Sequence, residues 1–237
     1  YYQSIGTAFT GVLMPGIVKM VEDNADTKVL TDEMIRIGRI IFIVLGLIWS
    51  GFLTCGKQFI ALWAGADNVD AYYVAVILMT AYMFILTESI GAQILWAKNQ
   101  HKEQAILKCV IVLLNIVLTI TLIKWQPLIG ATIGTFISLI LGDVVVMNVI
   151  FCKKLKMDLR SYYRRLMEGI LPCIVIASAV GFAANYFMKN GGWLQLFIEV
   201  MLICVVYAAG ILLFGANACE KKLVLSVVRK PMQRKDK

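Results

Sequence analysis

Four polar side chains lie inside the long apolar runs of this sequence, where few other groups can bind a polar substrate or an ion. Two are carboxylates, Glu88 and Asp143, and two are amides, Gln93 and Asn115. An ionisable group inside a membrane is costly unless it is paired or hydrated, so its presence indicates a functional site by default. We predict that these four residues line the pathway of a substrate or an ion.

Depth along the chain groups three of these residues. Glu88 and Asp143 lie eight and nine residues from the cytoplasmic ends of their apolar runs, at Trp96 and Cys152. At about 1.5 Å of rise per residue, both carboxylates lie roughly 12–14 Å inside the membrane. Asn115 is expected near the same depth. We therefore expect Asp143 to face the protein interior.

Each candidate also has a purely structural interpretation. A protonated Glu88 would need only a hydrogen bond to a neighbouring helix, Asn115 favours an interhelical hydrogen bond, and Gln93 suits an inner gate or packing equally. Periodicity does not place Asp143 on a polar stripe, because the residues three and four positions away on its face are apolar. Lys108 is expected either to extend to the interface or to pair with one of the two carboxylates.

Other polar residues carry weaker expectations. Glu199 and Asn185 lie near the outer ends of their runs and are expected only to reach the interface. His101, the single histidine, falls in a loop, and the six cysteines form no CxxC pair, so we expect no metal site and no cofactor. Coupling to a proton or to sodium is left open.

Motifs of enzymes do not account for this sequence. It contains no HExxH metal motif, no GxSxG nucleophile motif and no Walker-type glycine loop. We predict that the protein is not an enzyme and that any transport is driven by an ion gradient or a membrane potential rather than by ATP.

The elements that position the candidates are predicted to be membrane-spanning helices. Sixty per cent of the 237 residues are hydrophobic, against roughly 45–50% in soluble domains, and only 16% are charged. The mean hydropathy is +0.79. Runs of about 20 apolar residues, the length that crosses a membrane as a helix, recur along the chain, whereas barrel strands would be about half as long. We predict an all-α polytopic membrane protein whose seven spans form one bundle: 2–20, 37–56, 72–96, 105–123, 128–151, 168–187 and 193–214.

Basic residues fall on alternate connections between these spans. Segments 19–39, 97–104 and 152–165 and the C-terminal tail hold nineteen lysines and arginines, whereas the intervening connections hold three. Because basic loops remain in the cytoplasm, we expect a cytoplasmic C-terminus and residue 1 at the outer face of the inner (plasma) membrane. The basic charge is expected to meet the anionic inner leaflet and not nucleic acid.

Three connections carry further predictions. Segment 20–36 is expected to be a solvated connector, and segment 57–71 an interfacial turn. Segment 155–169 is predicted to form an amphipathic helix that lies on the inner leaflet and leads into the sixth span, with Tyr162 and Tyr163 among its apolar residues.

The start of the chain predicts a longer protein. Tyr1 stands directly before a proline-containing span, without an initiating Met. We therefore expect this to be the C-terminal part of a larger chain. The predicted division is a five-span bundle over 1–157, an amphipathic segment with two further spans over 158–214, and a basic cytoplasmic tail over 215–237.

The order of several segments resembles a known family. These segments are TGVLMPGIVKM, FIALWAGADNVDAY, ESIGAQILWAKNQHKEQAILKCVIVLLN and NIVLTITLIKWQPLIGATIGTFIS. Their succession resembles the C-terminal half of bacterial polysaccharide transporters, the lipid-linked oligosaccharide flippases of the superfamily that also contains multidrug exporters. The most specific piece is the hairpin that leads from Asn115 to Gly130, Ala131 and Gly134, where small residues allow close helix approach.

The resemblance covers residues 5 to 157 and carries its own implications. Such proteins have two six-helix bundles around a central cavity, so these spans would be helices eight to fourteen and the missing N-terminal half a partner. The implied function is a secondary transporter that flips lipid-linked oligosaccharide or polysaccharide precursors across the membrane by alternating access. Two alternatives stay open: a cation- or proton-coupled multidrug exporter, and a membrane scaffold that transports nothing.

Overall fold

A computed structural model describes residues 1–100, 102–188 and 191–215, with the side chains of residues 9 and 13 left out. Within these residues the chain is helical with no strand. The α-helices are α1 Tyr2–Glu22, α2 Thr27–Ala64, α3 Ala71–Thr87, α4 Ser89–Ala97, α5 Lys102–Leu122, α6 Pro127–Leu139, α7 Met147–Leu155, α8 Leu159–Met167, α9 Ile170–Phe187 and α10 Trp193–Gly210. The predicted all-α class is therefore confirmed. His101, Lys189 and the predicted tail from residue 216 onward lie outside the described residues.

Five to seven segments in the described part of the chain are long and apolar enough to cross a membrane. Five do so as continuous helical runs: α2, α5, Pro127–Leu155, α9 and Trp193–Gly215. Two more are bent pairs, α1 with a bend of 42° and α3 with α4 at 40°. The structure thus has the character of a polytopic membrane protein, and its helices follow the seven predicted spans.

Helix α2 is much longer than the predicted second span. It runs for 38 residues and includes parts of both segments predicted to be a connector and a turn. Leu30, Met34 and Ile35 are buried, so the prediction of a solvated connector is wrong from Thr27 onward. The predicted interfacial turn is confined to the residues after Ala64, where Gly65 has a φ of 94° that a residue with a side chain adopts only with strain.

Helix α2 is also the element around which the others pack. It contacts α1, α3, α4, α8, α9 and α10. A single apolar cluster joins its buried residues, among them Ile41 and Leu45, to residues of the last two spans such as Ile174 and Ile203. The first five predicted spans and the added pair therefore share one core.

Helix α5 lies at the edge of the bundle, against α6. Only 11% of the residues in its most apolar 18-residue stretch are buried inside the protein, as expected for a helix that faces lipid on most sides. A Cβ on Gly130 would collide with the Leu122 carbonyl, and one on Gly134 would lie 3.0 Å from the Thr119 nitrogen. The predicted close approach at these glycines is confirmed.

The fifth span changes its helical form halfway. Between Ile140 and Val146, which include Asp143, the helix is of the π type, with hydrogen bonds from residue i to residue i+5. A Cβ on Gly142 would collide with the side chain of Ile111, so a glycine lets α5 approach this segment. The predicted span 128–151 is therefore one continuous helical run, Pro127–Leu155, whose centre is a π-helix.

Helix α8 is amphipathic as predicted, but its apolar side packs against protein. Tyr162 and Leu166 are fully buried, and α8 contacts α2 and α9. Its apolar side therefore contacts α2 and α9 instead of lipid, and the position of the helix at the inner leaflet stays a prediction. The Asp158 side chain caps the helix by accepting hydrogen bonds from the backbone nitrogens of Arg160, at 3.1 Å, and Ser161, at 3.3 Å.

Candidate polar site at the break between α3 and α4

Glu88 is the single residue between α3 and α4, where the third span bends. The Gly91 N–H donates to the Glu88 carbonyl at 2.9 Å, three residues back, and this shortened turn leaves the Thr87 carbonyl for another donor. The hydroxyl of Tyr162 on α8 supplies it, at 3.2 Å. A buried backbone group released by the break is thus satisfied by a side chain.

The Glu88 carboxylate is buried and held by two neutral side chains. Only 3% of the residue is exposed. The Asn148 amide of α7 donates to both carboxylate oxygens, at 3.0 and 3.1 Å, and the Tyr163 hydroxyl of α8 donates to one of them. Hydrogen bonds of this kind offset part of the cost of removing a carboxylate from water. Three elements therefore meet at this group.

Tyr163 lies on α8, outside the spanning segments, and remains a proton donor. Burial, together with the neighbouring Glu88 carboxylate, raises the pKa of its phenol far above the ordinary value. Its oxygen in turn accepts a hydrogen bond of 2.7 Å from the Asn148 amide. The three side chains form a closed triangle.

The charge of Asp143 is compensated by a cation, whereas Glu88 is held by neutral hydrogen-bond donors. The Asp143 carboxylate forms an ion pair with Lys108 of α5. The Asp143 side chain is 10% exposed, whereas that of Lys108 is 62% exposed. The predicted inward orientation of Asp143 is therefore confirmed, and of the two partners predicted for Lys108 the structure shows Asp143.

A cavity of about 150 Å³ joins the two carboxylates. Its polar lining consists of Glu88, Ser89, Gln104, Lys108 and Asp143, and the rest of the wall is apolar. At roughly 30 Å³ per molecule, this volume holds about five waters. It is smaller than the roughly 300–1,000 Å³ typical of complete ligand sites. The cavity is thus large enough for several water molecules and too small for a whole binding site.

The π-type segment explains why the sequence does not predict Asn148 as a site residue. Periodicity of an α-helix places Asn148 at the edge of the face opposite Asp143. A π-helix has more residues per turn than an α-helix, so the segment Ile140–Val146 rotates Asn148 toward the side that carries Asp143. Asn148 is accordingly buried and reaches Glu88 beside the same cavity. Tyr163 was not predicted as a site residue because a tyrosine on an amphipathic helix is equally expected at the membrane surface.

The other two predicted site residues lie elsewhere. Asn115 is half-buried on α5, and its side-chain oxygen accepts a 3.0 Å hydrogen bond from Thr119 on the same helix, not across helices as expected. Gln93 is half-buried on α4 and does not line the cavity. The shared depth thus predicted the common site of the two carboxylates but failed for Asn115.

A further buried carboxylate corrects another expectation. Glu199 on α10 is fully buried and accepts hydrogen bonds from the Gln195 amide, at 2.7 Å, and the Cys55 thiol, at 3.5 Å. The Asn185 amide lies 3.5 Å from the Thr54 carbonyl of α2. The prediction that Glu199 and Asn185 only reach the interface is wrong, because both turn toward α2.

Comparison of this chain with protein-family models, with curated proteins and with solved structures finds no match. The resemblance to polysaccharide transporters therefore stays a prediction.

Proposed function

We propose that this chain forms the C-terminal lobe, with an added helix pair, of a secondary transporter that flips lipid-linked oligosaccharide or polysaccharide precursors by alternating access. The observation that carries the proposal is the cavity shared by Glu88 and Asp143 at a helix break. Irregular backbone at membrane depth is tolerated where it is buried in protein or lines a water-filled space. Broken helices of this kind form the substrate sites of many transporters.

The chemistry of the cavity suits a sugar headgroup. Sugar hydroxyls both donate and accept hydrogen bonds, and the lining supplies carboxylate acceptors together with the ammonium donor of Lys108. Because the cavity is small, its proposed role is to form one hydrated wall of a longer path. The lipid tail would stay in hydrocarbon while the headgroup passes this wall.

The break at Glu88 also offers a hinge for alternating access. Helix α4 packs tightly through Gly91, where a Cβ would lie 2.7 Å from the Phe151 ring and 3.0 Å from the Met34 methyl group. In the proposal, α4 moves with these neighbours while α3 stays in place, so the cavity opens and closes at the residue that carries the carboxylate. Hinges at the ends of helices absorb such changes in many closing proteins.

One observation favours the second candidate, a cation- or proton-coupled multidrug exporter. Asp143 is neutralised by Lys108, but the described residues that bond Glu88, namely Asn148 and Tyr163, are uncharged. A cationic substrate or a proton would therefore find Glu88 as its natural counter-charge.

In this proposal the protein lies in the inner (plasma) membrane with the basic connections and the C-terminus in the cytoplasm. The charge asymmetry of the sequence supports that orientation. The missing N-terminal half is the proposed partner bundle. Helix α1 leaves room for such a contact, because a Cβ on Gly11 or on Gly16 would meet no atom within 4 Å.

The test uses the full-length gene product in proteoliposomes. We expect a fluorescent lipid-linked sugar to move from the inner to the outer leaflet, and Glu88→Gln to slow this movement. Glu22→Gln, which makes the same change at an exposed residue of α1, serves as the matched control. Export of a cationic dye along a proton gradient without sugar flipping would favour the exporter, and neither activity would favour the scaffold.

A further inference from the structure

Helix α8 presents its two sides to different surroundings. It connects the spanning run Pro127–Leu155 to the spanning helix α9, so it lies between the ends of two spans, on the side where the chain leaves the membrane. Its inward side is buried in protein, as Tyr162 and Leu166 show. Its outward side is basic, with Arg160 and Arg164 exposed.

The inward side of α8 holds the helix break directly. Two successive tyrosines bond it: Tyr162 donates to the Thr87 carbonyl at 3.2 Å, and Tyr163 donates to the Glu88 carboxylate. Gly38 of α2 makes room for the first contact, since a Cβ there would lie 3.1 Å from both the Thr87 and the Tyr162 oxygens. The position of α8 therefore determines whether the break keeps its hydrogen bonds.

The C-terminal end of α8 is fixed from inside the protein. The buried Arg39 guanidinium of α2 donates to the carbonyls of Arg165, at 2.5 Å, and Glu168, at 3.1 Å. Cations stabilise the carbonyl end of a helix in this way. Arg165 itself pairs with Asp32 at 2.5 Å. One end of α8 is thus anchored, while Arg160 and Arg164 lie on its outer surface.

We infer that α8 is a lipid-responsive latch: Arg160 and Arg164 bind the phosphates of anionic lipid headgroups, and this contact keeps Tyr162 and Tyr163 on the break at Glu88. Arginine matches phosphate with its paired N–H donors, and basic residues at an anionic surface are attracted to it. The inference requires only that the chain spans a membrane, so it stands or falls separately from the proposed sugar transport.

The lipid contact is tested by native mass spectrometry of the purified protein in detergent. Phosphatidylglycerol and phosphatidylcholine are added in separate titrations, and bound lipids are counted per chain. We expect the double variant R160Q/R164Q to lose at least about fivefold of the preference for phosphatidylglycerol, given the attraction of each basic residue to an anionic surface. The double variant K57Q/K124Q removes two exposed charges far from α8 and should keep the preference.

The latch is tested by hydrogen exchange of the amides of residues 88–93 in nanodiscs of either lipid. We expect slower exchange in phosphatidylglycerol for the natural sequence. R160Q/R164Q should remove that difference, whereas Y162F/Y163F should remove it and keep the lipid preference. Phenylalanine keeps both rings in the core, so the second variant tests the hydroxyl contacts alone. A retained lipid preference in R160Q/R164Q, or equal exchange in the two lipids for the natural sequence, would overturn the inference.

Discussion

The hydrogen bond between Asn148 and Glu88 gives the sharpest test of the candidate site. Asn148→Leu replaces the amide by an apolar group of similar size at a position that is 6% exposed. The change removes the donor that reaches both Glu88 oxygens, at 3.0 and 3.1 Å, and leaves Tyr163 as the donor to that carboxylate.

The expected cost follows from the charge of the acceptor. Hydrogen bonds to charged groups contribute about 1.5–3 kcal/mol in proteins, and a buried group left unsatisfied costs a similar amount. Measured couplings inside membranes are smaller, averaging about 0.6 kcal/mol and reaching about 1.7. We therefore expect Asn148→Leu to lower the free energy of unfolding by about 1.5–3 kcal/mol. In a cycle with Glu88→Leu, which removes the acceptor altogether, we expect a coupling energy of about 1–1.5 kcal/mol.

The assay is equilibrium unfolding in mixed micelles for the natural sequence, the two single variants and the double variant. Asn115→Leu is the matched control, since it removes an intramembrane amide whose observed partner is Thr119 of the same helix. It should cost less than about 1 kcal/mol. A cost for Asn148→Leu no greater than that of the control, or a coupling energy near zero, would refute the assigned contact.

Three further predictions test other parts of the structure. Gly130→Ala should lower the thermal stability in detergent, because the added Cβ would collide with the rigid backbone at Leu122. Gly51→Ala should not lower it, because a Cβ on Gly51 would meet no atom within 4 Å, and equal effects would contradict the tight α5–α6 contact. Glu199→Gln should leave the free energy of unfolding nearly unchanged, because an amide oxygen still accepts from Gln195, whereas Glu199→Leu should lower it by about 1–3 kcal/mol. Similar losses for the two variants in unfolding titrations would argue against this hydrogen bond. Asp143→Asn should slow sugar flipping by the full-length protein at least about tenfold, a barrier increase of about 1.4 kcal/mol, with expression unchanged; an unaltered flipping rate would limit Asp143 to a structural role.

The membrane-spanning character could be predicted from composition, but the ends of the helices could not. The start of α2 shows the reason. Charged residues such as Asp32 and Arg36 make this stretch polar on average, while Leu30, Met34 and Ile37 lie on one side of the helix and are buried. An average over a window mixes the two sides, so an amphipathic helix end resembles a loop.

The candidate site could be predicted only in part, because the depth of a residue in the membrane does not determine the direction in which its side chain points from the helix. Counting residues correctly placed Glu88 and Asp143 at one level, and they line one cavity. The same count placed Asn115 there, yet the rotation of α5 directs its amide along its own helix. Asn148 required knowledge of the π-type turn, which changes the rotation of all later residues in the span.

The two carboxylates of the cavity are stabilised in ways that give them different dependence on α8. Asp143 is paired with a lysine of α5, so its charge stays compensated wherever α8 lies. Glu88 depends on Tyr163, and the carbonyl beside it depends on Tyr162, both from α8. Displacement of α8 would therefore release a buried carboxylate and a backbone carbonyl together at the bend of the third span, and hydration of the cavity would become the way to satisfy them. The surface helix and the polarity of the cavity are thus linked through two hydroxyl groups, and the exchange of the amides after Glu88 measures that link.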